Sequence, residues 1–383
     1  MKRQIPLAWR QLIHKKGRLL VALSGIAFAD ILMLMQLAFQ DALYESNTRL
    51  HKVLQADLVL ISSQARHLSS MESFPRRRLY QAASVSGIQS AEALYIVYMD
   101  WRNPQTHRNS GILLLGFDPD RPVLNLPGVT QNLDKLKLKD TLLFDSMARG
   151  KYQDAIAQIA QGGTVTTEMG ERTIELKGLF SIGPTLDIDG TLIASDQTFL
   201  RIVSGQPGNV ATGLITLEPG VDLSATATAL KSHLPGDVRV LTRQEFIDFE
   251  QHYWRTQTPI GFIFNLGAVL GFVVGVIIVY QILDSDVGEH IKEYATLKAI
   301  GYRSLYLLGI VLQEALILAV LGYIPGNLIA TALYALTSGA TNLPLYMTLD
   351  RTIKVLIFTI LMCMISGSIA VRKLRSADPA EIF

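Results

Sequence analysis

The sequence predicts an α-helical membrane protein with four transmembrane helices, one followed by three, and a large extracytoplasmic α+β domain inserted between the first and the second. Three observations predict it. Of the 383 residues, 49% are hydrophobic and only 18% charged, against roughly 25% charged in a soluble domain. Four stretches are long and apolar enough to cross a bilayer, which takes about 20 residues. Between the first two lies a long block in which short apolar runs alternate with turn residues, the pattern of a folded layer and not of a linker.

Residues 1–18 carry six Lys/Arg and no acid. Ile5, Trp9 and Ile13 recur four apart, with Pro6 at a helix start, which predicts an amphipathic helix along the inner leaflet. The first span is 19–43. Its apolar core exceeds the ~7–15 residues of a signal peptide and no small-residue cleavage site follows, so it reads as a retained anchor. The second span, 256–283, holds Gly267, Gly271 and Gly275 on one face, a small-residue ladder that allows close helix approach. Packing within the chain and packing against a second copy fit that ladder equally well. The third span, 304–336, contains "GYIPGN" and is expected to kink there. The fourth is 352–371.

Basic residues flank both ends of the chain: the six cations at the start, and Arg372, Lys373 and Arg375 after the last span. By the positive-inside rule both termini are cytoplasmic, as is the loop 284–303. The block 44–255 and the short loop 337–351 then lie outside the cytoplasm.

In the block, strands are expected at "ADLVLIS", "ALYIVYMDW" and "GILLLGFD", with a hairpin over 162–182 turning near Met169 and Gly170. A strand, a helix near Leu223–Leu234 and the strand "DVRVLT" form a βαβ-like unit, and helices are expected at Pro75–Ala83 and Lys151–Ala160. A helix at Gln244–Trp254 is expected to lead directly into the second span. From Asp41 to Thr258 there are 21 basic and 24 acidic residues, which is no nucleic-acid footprint.

Several chemistries find no residues. The chain lacks the G-x-x-x-x-G-K-[ST] phosphate cradle, so it is expected not to be an ATPase or other enzyme and to bind no cofactor itself. No G-x-S-x-G or H-E-x-x-H occurs, the seven histidines are scattered, and one cysteine, Cys363, stands in an apolar run; neither a catalytic residue nor a metal site is predicted. Asp187 and Asp189 form a lone D-x-D that reads as a solvated turn. Asp30 near the middle of the first span and Glu314 in the third are intramembrane acids, each costing on the order of 3 kcal/mol on insertion scales unless partnered. Asp30 reads as a buried contact that orients the helix or a dimer seam, with a relay or gating role as the rival, and Glu314 as its counterpart or as a group near the headgroups.

The loop between the second and third spans is the most organised polar stretch. "EHIKEYATLKAIGYRSLYLL" (Glu289–Leu308) predicts a short helix with protruding Tyr and Leu, closed by Gly301 as a left-handed residue and by Lys298 against the dipole. Ser304 can cap the helix that follows. A polar hairpin that only reverses direction rarely needs such a helix, so the stretch reads as a docking element. The closing "ADPAEIF" sets Asp378, Pro379 and Glu381 in N-cap, N1 and N3 positions, a second candidate docking point.

"EYATLKAIGY" and "ADPAEIF", together with the one-plus-three layout, resemble the permease subunits of the FtsX/MacB class of ABC transporters. "SGIAFADILMLMQLAFQDALYESN" (Ser24–Asn47) is most similar to DevC-type permeases of cyanobacteria. The resemblance implies that Glu293, Tyr294, Leu297, Lys298, Ala299 and Gly301 form a coupling helix that docks on a separate ATPase subunit, where ATP and Mg bind. It implies a homodimer of permeases in a bacterial inner membrane that converts ATP-driven motion into movement of the outer domain. It further implies a periplasmic membrane-fusion adaptor, a TolC-like outer-membrane protein and glycolipid or other lipid as substrate. An FtsX-like signalling protein that activates a periplasmic partner, such as a cell-wall hydrolase, is the alternative.

Overall fold

The computed structural model describes residues 16–205 and 208–371. The expected N-terminal amphipathic helix lies almost wholly outside the described residues, and Asp378, Pro379 and Glu381 entirely so. The contacts divide the chain into two units, one drawn from Met1–Asp41, Ile260–Ser338 and Leu345–Phe383, the other from Ala42–Pro259 and Gly339–Pro344.

The first unit is built on four helices long and apolar enough to cross a membrane: Lys16–Val53, Pro259–Glu289, Ser304–Thr341 and Leu349–Ala370. The first runs unbroken to Val53, so its last turns belong to the second unit. Ala22, Ile26 and Ala29 of the first helix meet Val279 and Leu283 of the second, Ala315, Leu318 and Ala319 of the third, and Met362 and Cys363 of the fourth. Small side chains dominate this core because lipid tails offer no hydrophobic drive, leaving close packing to hold the helices together.

The glycines show where approach is closest. A Cβ on Gly267 would stand 2.5 Å from Gln36, one on Gly271 3.2 Å from Met33, and one on Gly275 would collide with Met362 and Ala29. The ladder of the second span therefore packs inside the chain, against the first and fourth helices. The third helix stays helical through Pro325. Beside that proline, a Cβ on Gly322 would lie 2.7 Å from Ile26, and one on Gly326 3.0 Å from Asp30.

Arg18, Asp30 and Asp41 of the first helix are each paired with another helix. At one end Arg18 bonds Asp286 at 3.1 Å and Glu289 at 2.8 Å; at the other Arg351 bonds Asp41 at 2.6 Å. Arg18 and Asp41 lie about 35 Å apart along one helix at 1.5 Å per residue, close to the ~30 Å of a hydrocarbon core. Between them, buried Asp30 accepts a hydrogen bond from Thr359 at 2.5 Å. Glu314 is also buried, and its carboxylate oxygens have no hydrogen-bond partner among the described residues. Asp30 is thus met by the fourth helix, not by Glu314.

The second unit carries a nine-stranded sheet. Its strands are β1 (Leu58–Ser62), β3 (Ile88–Arg102), β4 (Asn109–Phe117), β5 (Thr141–Asp145), β6 (Val165–Met169), β7 (Arg172–Phe180), β8 (Thr191–Ser195), β10 (Thr212–Leu217) and β11 (Val238–Thr242). A separate two-stranded piece pairs β2 (Phe74–Pro75) with β9 (Asn209–Val210). The order is β11-β1-β10-β3-β4-β8-β5-β7-β6.

Long β3 is shared. Its first half, from Ile88 to Leu94, pairs with β10, and its second half, from Tyr95, pairs with β4. β10, the helix Leu223–His233 and β11 form a split βαβ unit with β1 between the two strands. On the other side β6 bridges back to β3 through Trp101 and Met169, so six strands close on themselves and hide what would be an exposed edge. Trp101, Phe144, Tyr152, Met169 and Leu176 fill that half of the core.

The strands β5 and β8 were not expected. "TLLFD" and "TLIAS" are buried at every residue, so they lack the alternation that betrays a half-buried strand. The parallel pairings β4–β8 and β5–β7 follow from them.

The helix Arg243–His252 opens with a full capping box between Thr242 and Glu245. It does not lead straight into the second span. A π-helical turn, Tyr253–Gln257, follows, and Thr258 is extended at φ −117° before Pro259 starts a new helix. Pro259 lacks an N–H to continue the ladder, which suits a first helical position.

Just before that break, Glu250 is 1% exposed. It accepts hydrogen bonds from Leu68 N at 2.8 Å and Trp254 Nε1 at 2.9 Å, with His51 Nε2 at 3.8 Å. Burial pushes its carboxyl up to about 7.

Two outcomes are expected. Gly322→Ala should destabilise the helical unit by about 1–3 kcal/mol through overpacking on Ile26, whereas Gly309→Ala, with nothing within 4 Å, should not; thermal unfolding in detergent measures both. Glu250 holds its proton more tightly in the folded than in the unfolded state, so its contribution is most favourable below about 4.5, declines as pH rises to about 7 and is level above. The difference in unfolding free energy, wild type minus Glu250→Gln, should fall across that window by an amount on the order of 3 kcal/mol.

Candidate functional site

The loop between the second and third apolar helices is shorter than expected, because the second helix runs on to Glu289. His290 then marks a turn at φ −90° and ψ 13°, and a nine-residue helix, Ile291–Ala299, follows. His290 stays tied to the preceding helix, with its N–H donating to Asp286 O at 3.2 Å and its Nδ1 3.0 Å from the same oxygen. Glu293 in the first turn and Lys298 in the last complement the helix dipole.

The end of the helix is built as the sequence predicts. Gly301 takes φ +105°, its N–H donates to Lys298 O at 3.1 Å, and Tyr302 N–H donates to Leu297 O at 3.1 Å. Those two bonds are the Schellman pair, in which a left-handed residue lets the chain turn back on the last carbonyls. The next helix begins at Ser304, one residue earlier than a Ser304 cap would require. Only two residues of irregular chain separate Gly301 from it.

The direction of the side chains differs from expectation. Tyr294 does not protrude: it is 1% exposed and packs with Val287, Leu307, Ile310, Val311 and Val371, with Leu297 half-buried against the same cluster. Ala295 is buried beside it. Tyr294 and Leu297 therefore fasten the short helix to the ends of the second, third and fourth apolar helices. The reason is geometric, since residues 294 and 297 share a face one turn apart and that face is the one turned to the third helix.

What the site does expose is a set of apolar groups that sequence reasoning did not single out. Ile300 is 71% exposed, Tyr302 45% and Tyr306 51%, and the rings of Tyr302 and Tyr306 lie 4.7 Å apart. Glu293 and Gly301 are exposed with them. The signal was in the sequence, as two tyrosines four apart straddling the start of a helix. Asp187 and Asp189, by contrast, are not brought together as ligands: Asp187 accepts from Thr185 at 2.6 Å and Asp189 pairs with Arg149 at 2.7 Å.

Replacing Tyr294 tests the anchor. Tyr294→Ala should cost about 3 kcal/mol of local stability and speed amide exchange throughout Ile291–Ala299, while exchange in the sheet of the other unit stays as in wild type. Unchanged exchange in the short helix would show that Tyr294 does not fasten it.

Comparison with known proteins bears on the same region. No curated protein matches the chain significantly. Among solved structures, the periplasmic region of MacB from Actinobacillus actinomycetemcomitans is similar at 13% identity, over 53% of this chain and 95% of that one, with a TM-score of 0.35. The extracellular domain of the noncanonic ABC-type transporter YknZ from Gram-positive bacteria is similar at 13% identity, over 49% of this chain and 99% of that one, with a TM-score of 0.30. Residues 265–379 match the family model described as FtsX-like permease C-terminal. That match takes in the short helix, its cap and the three apolar helices around it, so the chain carries an FtsX-like permease domain over residues 265–379.

Proposed function

We propose that this chain is the membrane-spanning subunit of an ABC-type exporter, driven by a separate ATPase subunit that docks on Ile291–Ala299 and the apolar surface beside it. The observation that carries the reading is the coincidence of an FtsX-like permease domain with a capped, anchored helix that ends in exposed Ile300, Tyr302 and Tyr306. Basic flanks at both chain ends support a cytoplasmic location for that helix.

The mechanism follows from stiffness. A partner pressing on the exposed side cannot fray the helix at Gly301, because the last carbonyls are already bonded. The push passes through Tyr294 and Leu297 into Leu307, Ile310 and Val311 of the third apolar helix. Packed interiors transmit displacement instead of absorbing it. The domain 42–259 then lies outside the cytoplasm and responds, in a homodimer working with a membrane-fusion adaptor and a TolC-like duct, as in DevC- and MacB-type systems. Glycolipid or another lipid is the proposed cargo, and ATP and Mg belong to the partner.

The test is reconstitution of the chain with its ATPase subunit in nanodiscs. The double variant Ile300→Asp, Tyr302→Asp should lower chain-stimulated ATP hydrolysis by roughly thirtyfold or more, since removing a docking hot spot costs about 2 kcal/mol or more, with the melting temperature unchanged. Full stimulation by that variant would refute docking at this surface. Intact stimulation by the wild-type chain without lipid movement would favour the signalling alternative.

A further inference from the structure

The α+β unit contains a sheet edge open to a groove. β3 changes partner at Leu94 and Tyr95: from Tyr95 onward it pairs with β4, whose last paired residue, Gly116, lies opposite Tyr95, and the stretch from Ile88 to Leu94 pairs with β10 alone. In a strand the main-chain groups of successive residues point to opposite sides. Asp57 N–H donates to Ile215 O, which directs residues 213 and 215 of β10 toward β1 and residues 212, 214 and 216 toward β3. Their partners in β3 are Leu94, Glu92 and Ser90. The N–H and C=O groups of Ala91 and Ala93 therefore point away from β10, past the end of β4, where no described strand pairs with them.

A groove of about 850 Å³ runs along this edge. It is lined by four consecutive β3 residues, Gln89 to Glu92. Side chains of consecutive strand residues alternate between faces, so a groove that touches all four opens on the edge and not on a face. One wall is apolar, formed by Leu79, Ala83 and Tyr80, the last 67% exposed. The other carries two guanidinium groups. Arg121 is exposed and held only by Glu92 at 3.2 Å; the exposed Arg243 side chain has no hydrogen-bond or ion-pair partner among the described residues.

From this geometry we infer that the edge of β3 at Ala91 and Ala93 accepts an extended segment of a partner polypeptide as an added strand. Ala91 and Ala93 supply two donors and two acceptors spaced about 7 Å apart, and their small side chains leave room for those of the incoming strand. Alternate residues of that strand face the two walls. The segment that fits carries apolar residues toward Tyr80 and acidic residues toward Arg121 and Arg243. Main-chain bonds supply affinity in such additions and the alternate side chains supply selectivity. The inference concerns the 42–259 unit and stands or falls independently of ATPase docking.

Proline separates this contact from any other. Proline is tolerated on an edge where the lost N–H faces away from the sheet, so Ala93→Pro removes one donor of the open side and leaves the pairing with β10 intact. The probe is a fluorescent peptide alternating Glu and Val, added to the full chain in detergent and read by anisotropy and by amide exchange at Ala91. Wild type should bind it and protect Ala91. Ala93→Pro, and a peptide N-methylated at alternate residues, should each weaken binding by about tenfold or more. Arg243→Glu should weaken the Glu/Val peptide and strengthen a Lys/Val one. Absence of saturable binding, or equal binding by Ala93→Pro and by the methylated peptide, would overturn the proposal. So would protection of Ala91 that rises with protein concentration alone, since a second copy would then be the occupant.

Discussion

Hydrocarbon offers no partner to a carboxylate or a guanidinium, and the helical unit is arranged around that constraint. The first apolar helix carries Arg18, Asp30 and Asp41, and each finds its partner on another helix: Asp286 and Glu289 on the second, Thr359 and Arg351 on the fourth. Arg351 is 4% exposed, donates to Tyr346 O at 2.9 Å and lies 5.5 Å from the Tyr334 ring. Tyr334 in turn donates to Leu34 O at 2.6 Å. The polar pairs set the register of the helices along one another, and the glycines set how closely they approach. Neither acts without the other, because a pair in lipid forms only if the backbones come near enough for short side chains to meet.

Much of this was legible in the sequence for reasons that are local. Apolar runs announce spans, Gly301 announces a helix end because few other residues take φ near +105° without strain, and Met169–Gly170 announces a hairpin. What was not legible depends on residues far away in the chain. Tyr294 looked like an outward residue on a polar helix, and only contact with Leu307, Val311 and Val371 decides that it points inward. The break at Thr258 is written in Pro259, yet the apolar run on one side and the helical pattern on the other masked it. Strands β5 and β8 are buried on both faces, and a fully buried strand has no period to read.

The short helix and the open strand edge share a physical feature. Each is an incomplete element held rigid by what surrounds it: the helix by its cap and by an apolar anchor, the edge by pairing with β10 on its other side. Rigidity lowers the entropy lost on binding, so both are suited to receive a partner. They differ in chemistry. The helix offers exposed Ile300, Tyr302 and Tyr306, a surface rich in the aromatic groups that dominate interfaces, whereas the edge offers main-chain hydrogen bonds with two arginines beside them.

The central claim is that energy enters through the stretch from Ile291 to Tyr306. Hydrogen exchange of the full chain, with and without its ATPase subunit bound, tests this most directly. The account predicts new protection confined to the amides of Ile300 to Tyr306 and the exposed side of Ile291–Ala299. A stable complex that protects other segments and leaves these amides unchanged would contradict it.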